Sequence, residues 1–219
     1  KNNQELKPIG ANLSEIISID TSKVNPKLND IEFEVACDVT NPLYGKNGAA
    51  HIYGSQKGAS KEDIELLDKG LQSISKIINA TFSIDAQSVK GAGAAGGMGI
   101  ASKVFLNGVL EPGIQIIKNL ADFDNLIEGA NWIITGEGKL DTQTFSGKTI
   151  QGVMSSAKAK QIKVAAFCGA IDLDENSIKE LGIHYADAVL HHSKNLDDAM
   201  KNGYSYVKEI AEEFAKKLV

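Results

Sequence analysis

Residues 31–39, IEFEVACDV, alternate strictly between apolar and polar positions. Ile31, Phe33, Val35, Cys37 and Val39 point one way, and Glu32, Glu34 and Asp38 the other, which predicts a half-buried strand. A Pro/Gly/Asn loop, TNPLYGKNGAA, follows. The period then changes. Ser60 with Asp63 three residues on has capping-box spacing, and Ile64, Leu67, Leu71, Ile74 and Ile78 recur at helical intervals, predicting an amphipathic helix over 61–80. Further helices are expected at about 96–107 and 113–119.

From residue 131 the pattern becomes continuous apolar runs separated by helical ones. WIIT (132–135), VAAFCG (164–169) and DAVL (187–190) read as buried strands. GKTIQGVMSSAKAK and residues 174–181 read as helices. A long closing helix carries Leu196, Met200, Val207, Ile210 and Phe214 on one face. Buried strands alternating with helices imply a parallel sheet covered on both sides. The fold class is therefore α/β, with a domain boundary expected at 128–131.

With 42% hydrophobic and 23% charged residues among 219, the chain has ordinary globular composition. No apolar run approaches a membrane span, and the opening KNNQELKPIG is polar, with no signal-peptide pattern. Cys37 and Cys168 are too far apart in sequence for a metal or redox motif and sit in apolar runs, as buried reduced thiols do. A cytoplasmic protein is expected. The net charge of −5 argues against a nucleic-acid or anionic-membrane surface. All 23 basic residues are lysine, so no guanidinium is available within these residues to clamp a phosphate or carboxylate.

Five of the nine residues in GAGAAGGMG (91–99) are glycine. Either backbone approaches a phosphate-bearing ligand there, or two pieces of backbone pack closely. Gly91, Gly93 and Gly96 match the dinucleotide fingerprint G-x-G-x-x-G, but the preceding DAQSVK is not a buried strand and Glu111 lies directly before Pro112, so NAD binding is not expected. Gly147-Lys148-Thr149 fails as a phosphate-binding P-loop because residue 142 is threonine.

TGEGKLDTQTFSGKT (135–149) leaves the carboxyl end of a strand and enters a helix, where open parallel sheets bind ligands. It offers Glu137, Lys139, Asp141 and Lys148: carboxylates for a divalent ion or a hydroxyl proton, and lysines for phosphate. A polar connecting loop would look the same. Asp38 could act as a base or as part of a solvated strand face. Lys57 lies just ahead of the helix at Ser60, where anions bind. The four histidines read as structural or solvated.

Three stretches, VACDVTNPLYGKNGAAHIYGSQKGAS (35–60), GAGAAGGMG (91–99) and WIITGEGKLDTQTFSGKTIQGV (132–153), in this order, resemble the bacterial glycerate kinase family. The resemblance covers essentially the whole chain. It lacks the family's Asp-Ser-Phe-Lys-type and Gly-Gly-Ser-Ala-Thr-Asn-type motifs, so the chain is expected to be the C-terminal part of a longer enzyme, with the missing N-terminal portion as its partner.

The resemblance implies ATP-dependent phosphorylation of D-glycerate, at the 2-hydroxyl, with Mg²⁺ as cofactor. It implies two α/β domains, one inserted in the other: residues 1–128 as part of the inserted domain and 129–219 as the returning half of a Rossmann-like domain. The roles that follow are Asp38, Lys57 and Asp141 in catalysis; Asn41, Glu137, Lys139 and Lys148 in substrate binding; and Gly91, Gly93, Gly96 and Gly97 in nucleotide binding. Asp38 and Glu137 are the metal candidates. Another hydroxy-acid or sugar-acid kinase, a non-catalytic binding module and a homodimer stay open.

Overall fold

In the computed structural model, which describes residues 5–142 and 149–218, the chain divides into two compact units, Lys1–Ile116 and Ile117–Val219. In the first unit the alternating stretch yields strand β1 (Glu34–Ala36), parallel to β2 (Val109–Glu111), with Glu34 opposite Val109 and Ala36 opposite Glu111. Phe33, Val35, Cys37 and Val39 are half-buried and Glu32, Glu34 and Asp38 exposed, as the alternation requires, although Ile31 is exposed. The strand is shorter than its pattern because its partner offers only three residues in register.

Helix α1 (Ala49–Tyr53) precedes α2 (Lys61–Phe82). The capping box is complete: Ser60 Oγ accepts the Asp63 N–H and the Asp63 carboxylate accepts the Ser60 N–H. Leu71 and Ile78 of α2 join Leu43, Ala49, Ala86, Ala92 and Ile100 in the core of this unit. Helices α3 (Met98–Leu106) and α4 (Gly113–Leu120) lie where the periodicity puts them.

The second unit contains α5 (Phe123–Leu126), β3 (Trp132–Thr135), β4 (Lys139–Leu140), α6 (Thr149–Ala159), β5 (Lys163–Cys168), β6 (Ala170–Ile171), α7 (Glu175–Glu180), β7 (Tyr185–Ala188), α8 (Val189–His192) and α9 (Leu196–Lys216). It begins earlier than 128–131, because Phe123 and Ile127 pack with Ile133, Val153 and Val164. A parallel sheet runs β3-β5-β7, and a second parallel pair joins β4 to β6. Ile133 and Val164 face α6 through Val153 and Ala157. On the opposite face Phe214 of α9 meets Trp132, Phe167 and Tyr185 at ring-centroid distances of 5.0, 5.7 and 4.9 Å. Among the described residues, no helix is long and apolar enough to cross a membrane.

Three expectations change here. Ile134 of β3 is 58% exposed, so that strand is not buried on both faces. The strand expected at 187–190 ends at Ala188, where the chain turns and Leu190 N–H donates to Gly169 O. On α9, Ile210 and Phe214 are buried, but Leu196 is 63% and Met200 80% exposed. Asn202 (φ −114°) interrupts the helix and shifts the phase of its first turns.

The Asp198 carboxylate holds that interruption. It accepts the Lys194 N–H, the Tyr206 hydroxyl and the Asn202 amide, which bring its pKa down from 3.8 to about 2. A carboxylate with a depressed folded-state pKa stabilises above its unfolded value and loses that contribution as pH falls through the folded one. The melting temperature of Asp198→Asn should therefore lie below that of the parent chain above pH 3.8, and the gap should close towards pH 2. A pH-independent gap in thermal melts would remove the charge from this account.

Candidate functional site

In the first unit, Asp38 stands just past the end of β1, exposed, and its Oδ1 accepts the Gly113 N–H at 2.9 Å. Gly113 opens α4, so the carboxylate caps that helix and matches its dipole. Asn41, three residues on, is occupied at both ends of its amide: Nδ2 donates to Asn47 O at 3.0 Å and Oδ1 accepts the Tyr53 hydroxyl at 2.6 Å. It shapes the 41–53 loop instead of presenting a free amide to substrate. The same loop is fastened by Asp68, whose carboxylate accepts the Gly45 N–H at 2.7 Å and the Gln72 amide at 2.8 Å, and by Gln87 on both polar atoms of the Tyr44 backbone. Asp68 is buried. Its signal was present in the sequence, because position 68 falls on the apolar face of α2 between Ile64 and Leu71.

The glycine stretch resolves mainly in favour of close packing. A Cβ on Gly93 would sit 2.2 Å from Pro42 O, and one on Gly99 2.0 Å from Gly91 O. Gly91 (φ +80°) would bring a Cβ 2.7 Å from Cys37 Sγ. Of the four glycines expected in nucleotide binding, Gly93, Gly96 and Gly97 donate their N–H groups to Asn41 O, Gly93 O and Ala94 O. Gly96 (φ +73°) is different, with open space around its Cβ position. It lines a cavity of about 430 Å³ together with Tyr53, Lys57, Gly58, Asp63 and Leu67. Lys57, exposed in a 3₁₀ turn (Ser55–Lys57), therefore shares a cavity with one of the predicted glycines. The α2 N-terminus beside it is closed to an anion by its own capping box and by Glu62 and Asp63 in its first turn.

In the second unit, the loop after β3 leaves the carboxyl end of the sheet as expected. Gly136 lets it pass: a Cβ there would lie 2.1 Å from Phe167 O. Gly169 N–H donates to Glu137 O, and Ala170 N–H to Gly138 O, so β4 continues beside β6. Glu137 lies against Cys168. Burial pushes that thiol up, the Glu137 backbone N–H opposes this, and the Glu137 carboxylate adds to it, so Cys168 stays a protonated, buried thiol. Lys139 Nζ lies 2.9 Å from Asp172 and 3.9 Å from Asp141, and the Asp172 hydrogen bond raises its pKa. Lys139, expected in substrate binding, is thus engaged with two carboxylates, and the pairing ties the Lys139–Asp141 segment to the turn after β6. Lys148 lies outside the described residues.

One cluster at the same end of the sheet was not anticipated. The adjacent His191 and His192 converge on Asp187 at the end of β7: His191 Nδ1 is 3.0 Å from Oδ1 and His192 Nε2 3.0 Å from Oδ2. Burial pushes the Asp187 carboxyl up, but hydrogen bonds from His192, the Ala188 N–H and His191 outweigh it and leave the pKa below the usual carboxylate range. The Asp187 hydrogen bond raises that of His192.

Compared with known proteins, residues 1–219 match the family model described as the glycerate kinase family. A glycerate kinase of Halalkalibacterium halodurans is 39% identical over 206 residues, covering 94% of this chain and 54% of that protein. The glycerate 2-kinase of Escherichia coli is 38% identical over 198 residues, 90% of this chain and 52% of its own length. A crystal structure from Salmonella typhimurium LT2, assigned as glycerate kinase 2, superposes with a TM-score of 0.78 at 35% identity, over 95% of this chain and 54% of that one. The chain thus spans about half the length of the curated relatives it matches.

Proposed function

This chain belongs to the glycerate kinase family, and from that premise we propose that the complete enzyme transfers the γ-phosphoryl group of ATP to the 2-hydroxyl of D-glycerate. The observation that carries the reading is the family match over all 219 residues; the candidate residues lie in the Asp38 turn, the glycine stretch and the 135–141 loop. The glycerate hydroxyl oxygen attacks the γ-phosphorus as the bond to the ADP oxygen breaks, and the hydroxyl proton passes to a carboxylate. Asp38 is our candidate for that base. One of its oxygens takes the Gly113 N–H, which orients the group, while Oδ2 has no hydrogen-bond donor among the described residues.

Mg²⁺ bound with ATP would offset charge on the phosphates. Its preference for hard oxygen ligands makes the exposed carboxylate of Asp38 in the first unit one candidate, and the half-buried Glu137 with Asp141 in the second unit separate ones. Lys57 and Lys148 are the proposed anion contacts, and Gly96 is the glycine best placed to face a ligand, through its open Cβ position and the cavity it shares with Lys57. Residues 1–116 would belong to the inserted domain and 117–219 to the returning half of the Rossmann-like domain.

The test is a coupled assay of the full-length enzyme with ATP and D-glycerate, the product position being read by ³¹P NMR. A 2-phosphoglycerate signal supports the proposal; turnover only with another hydroxy acid, or none, overturns it. In that assay Asp38→Asn should lower kcat at least about a hundredfold, the scale of a lost general base. Asparagine keeps the acceptor that caps α4, so folding should hold. Unchanged turnover would leave Asp38 with its capping role alone.

A further inference from the structure

Adjacent residues on a helix point about 100° apart, so His191 and His192 do not have the spacing of a joint ligand pair. The single turn of α8 nonetheless brings both imidazoles to one carboxylate at the carboxyl end of β7. A third element contributes Glu213, from α9. One ligand atom each from Asp187, His192 and Glu213 lie within 4.8 Å of one another, the one such group among the described residues. We propose that Asp187, His192 and Glu213 bind a single divalent transition-metal ion of the zinc class, distinct from the magnesium that accompanies ATP.

The geometry suits a small ion. Ligand bonds of about 2.0–2.2 Å in tetrahedral or octahedral arrangement place neighbouring donor atoms about 3.0–3.5 Å apart. Asp187 Oδ2 and His192 Nε2 are 3.0 Å apart. Both side chains are largely withdrawn from water, at 15% and 16% exposure. One imidazole with two carboxylates is a donor set for zinc or manganese, whereas magnesium favours oxygen ligands and keeps its waters.

The surrounding contacts are those of supported metal ligands. His192 turns Nε2 to the cluster and Nδ1 towards Glu209 Oε1, 3.8 Å away. Asp187 Oδ1 is fixed by the Ala188 N–H at 2.7 Å and by His191. Ser193 Oγ, in the next residue, is a buried hydroxyl with no hydrogen-bond partner among the described residues. Lys217, the cation close by, is held over the Tyr185 ring at 4.6 Å.

An ion-free hydrogen-bonded cluster would show the same contacts, and calorimetric titration of the 219-residue chain with ZnCl₂ separates the two. The expected result is one Zn²⁺ per chain, weakened about tenfold or more by His192→Gln and by Glu213→Gln and unchanged by His51→Gln. Co²⁺ should give a weak visible spectrum without a thiolate charge-transfer band. MgCl₂ should give no comparable heat. If His192→Gln fails to fold by circular dichroism, Glu213→Gln decides. Absence of stoichiometric Zn²⁺ binding, binding untouched by the Glu213 change, or a thiolate band would each overturn the proposal.

Discussion

Alanine at Gly93 is expected to destabilise the chain by about 3 kcal/mol or more, at the upper end of overpacking substitutions. The residue has φ −77°, which any amino acid adopts, so conformational freedom is not what glycine supplies there. What it supplies is absence. A Cβ would lie 2.2 Å from Pro42 O and 3.2 Å from Asn41 O, and Gly93 N–H donates to that same Asn41 oxygen at 3.0 Å. The atoms in the way are backbone, so no rotamer change relieves the clash. Moving Pro42 also moves Leu43, which is fully buried in the core. Gly96→Ala makes the contrast. It meets nothing within 4 Å, and its cost should be the roughly 1–2 kcal/mol of placing a side chain at φ +73°. Urea denaturation of the two variants measures the difference. If Gly93→Ala unfolds within about 1 kcal/mol of the parent chain, close packing is not the reason for glycine at this position.

The elements that local chemistry specifies were legible. Helix α2 was readable because its start rests on Ser60 and Asp63 and its face on Ile64, Leu67, Leu71 and Ile78, all close in sequence. Strand β2 was not, since Val109–Glu111 is too short to show a period and exists as a strand only against β1. The same holds for β4 and β6, two residues each. The closing helix misled because one residue, Asn202, breaks its phase, and a window averaged across the break places Leu196 and Met200 on the wrong side. In the second unit the carboxyl-end placement of the loop after β3 was legible in the sequence. The partners were not, because Asn41 with Tyr53, Lys139 with Asp172 and Asp68 with Gly45 are pairings that only the folded chain makes. Asp187 escaped for a related reason: nothing in DAVLHH shows that the strand ends at Ala188 and that the single turn of α8 folds both rings back onto the aspartate.

The 219-residue chain by itself is expected to form no phosphoglycerate, and an N-terminal half from a full-length relative is expected to restore activity. The chain covers about half the length of its curated relatives. Among the described residues, β3 pairs on one side only, with β5, leaving its other backbone edge without a strand. Ile134, in the middle of β3, is 58% exposed although Ile133 beside it is buried. An unpaired apolar edge of this kind is what soluble proteins cover or charge, so further strands of the same sheet should dock there. Catalysis should need them as well. Phosphoryl transfer depends on holding nucleotide, ion and hydroxyl in line, and a displacement of about 1 Å in that geometry can cost about a hundredfold. The lysines proposed as anion contacts are only Lys57 and Lys148, the chain has no arginine to replace them, and Lys139 is already paired with Asp172. The assay follows ATP-dependent phosphoglycerate formation by residues 1–219, then by the same sample after the separately expressed half is added. Full turnover by 1–219 alone would show that the open β3 edge and the absent half are irrelevant to the chemistry. Activity that appears only on mixing, and that an Ile134→Asp substitution suppresses, would place the second half on that edge.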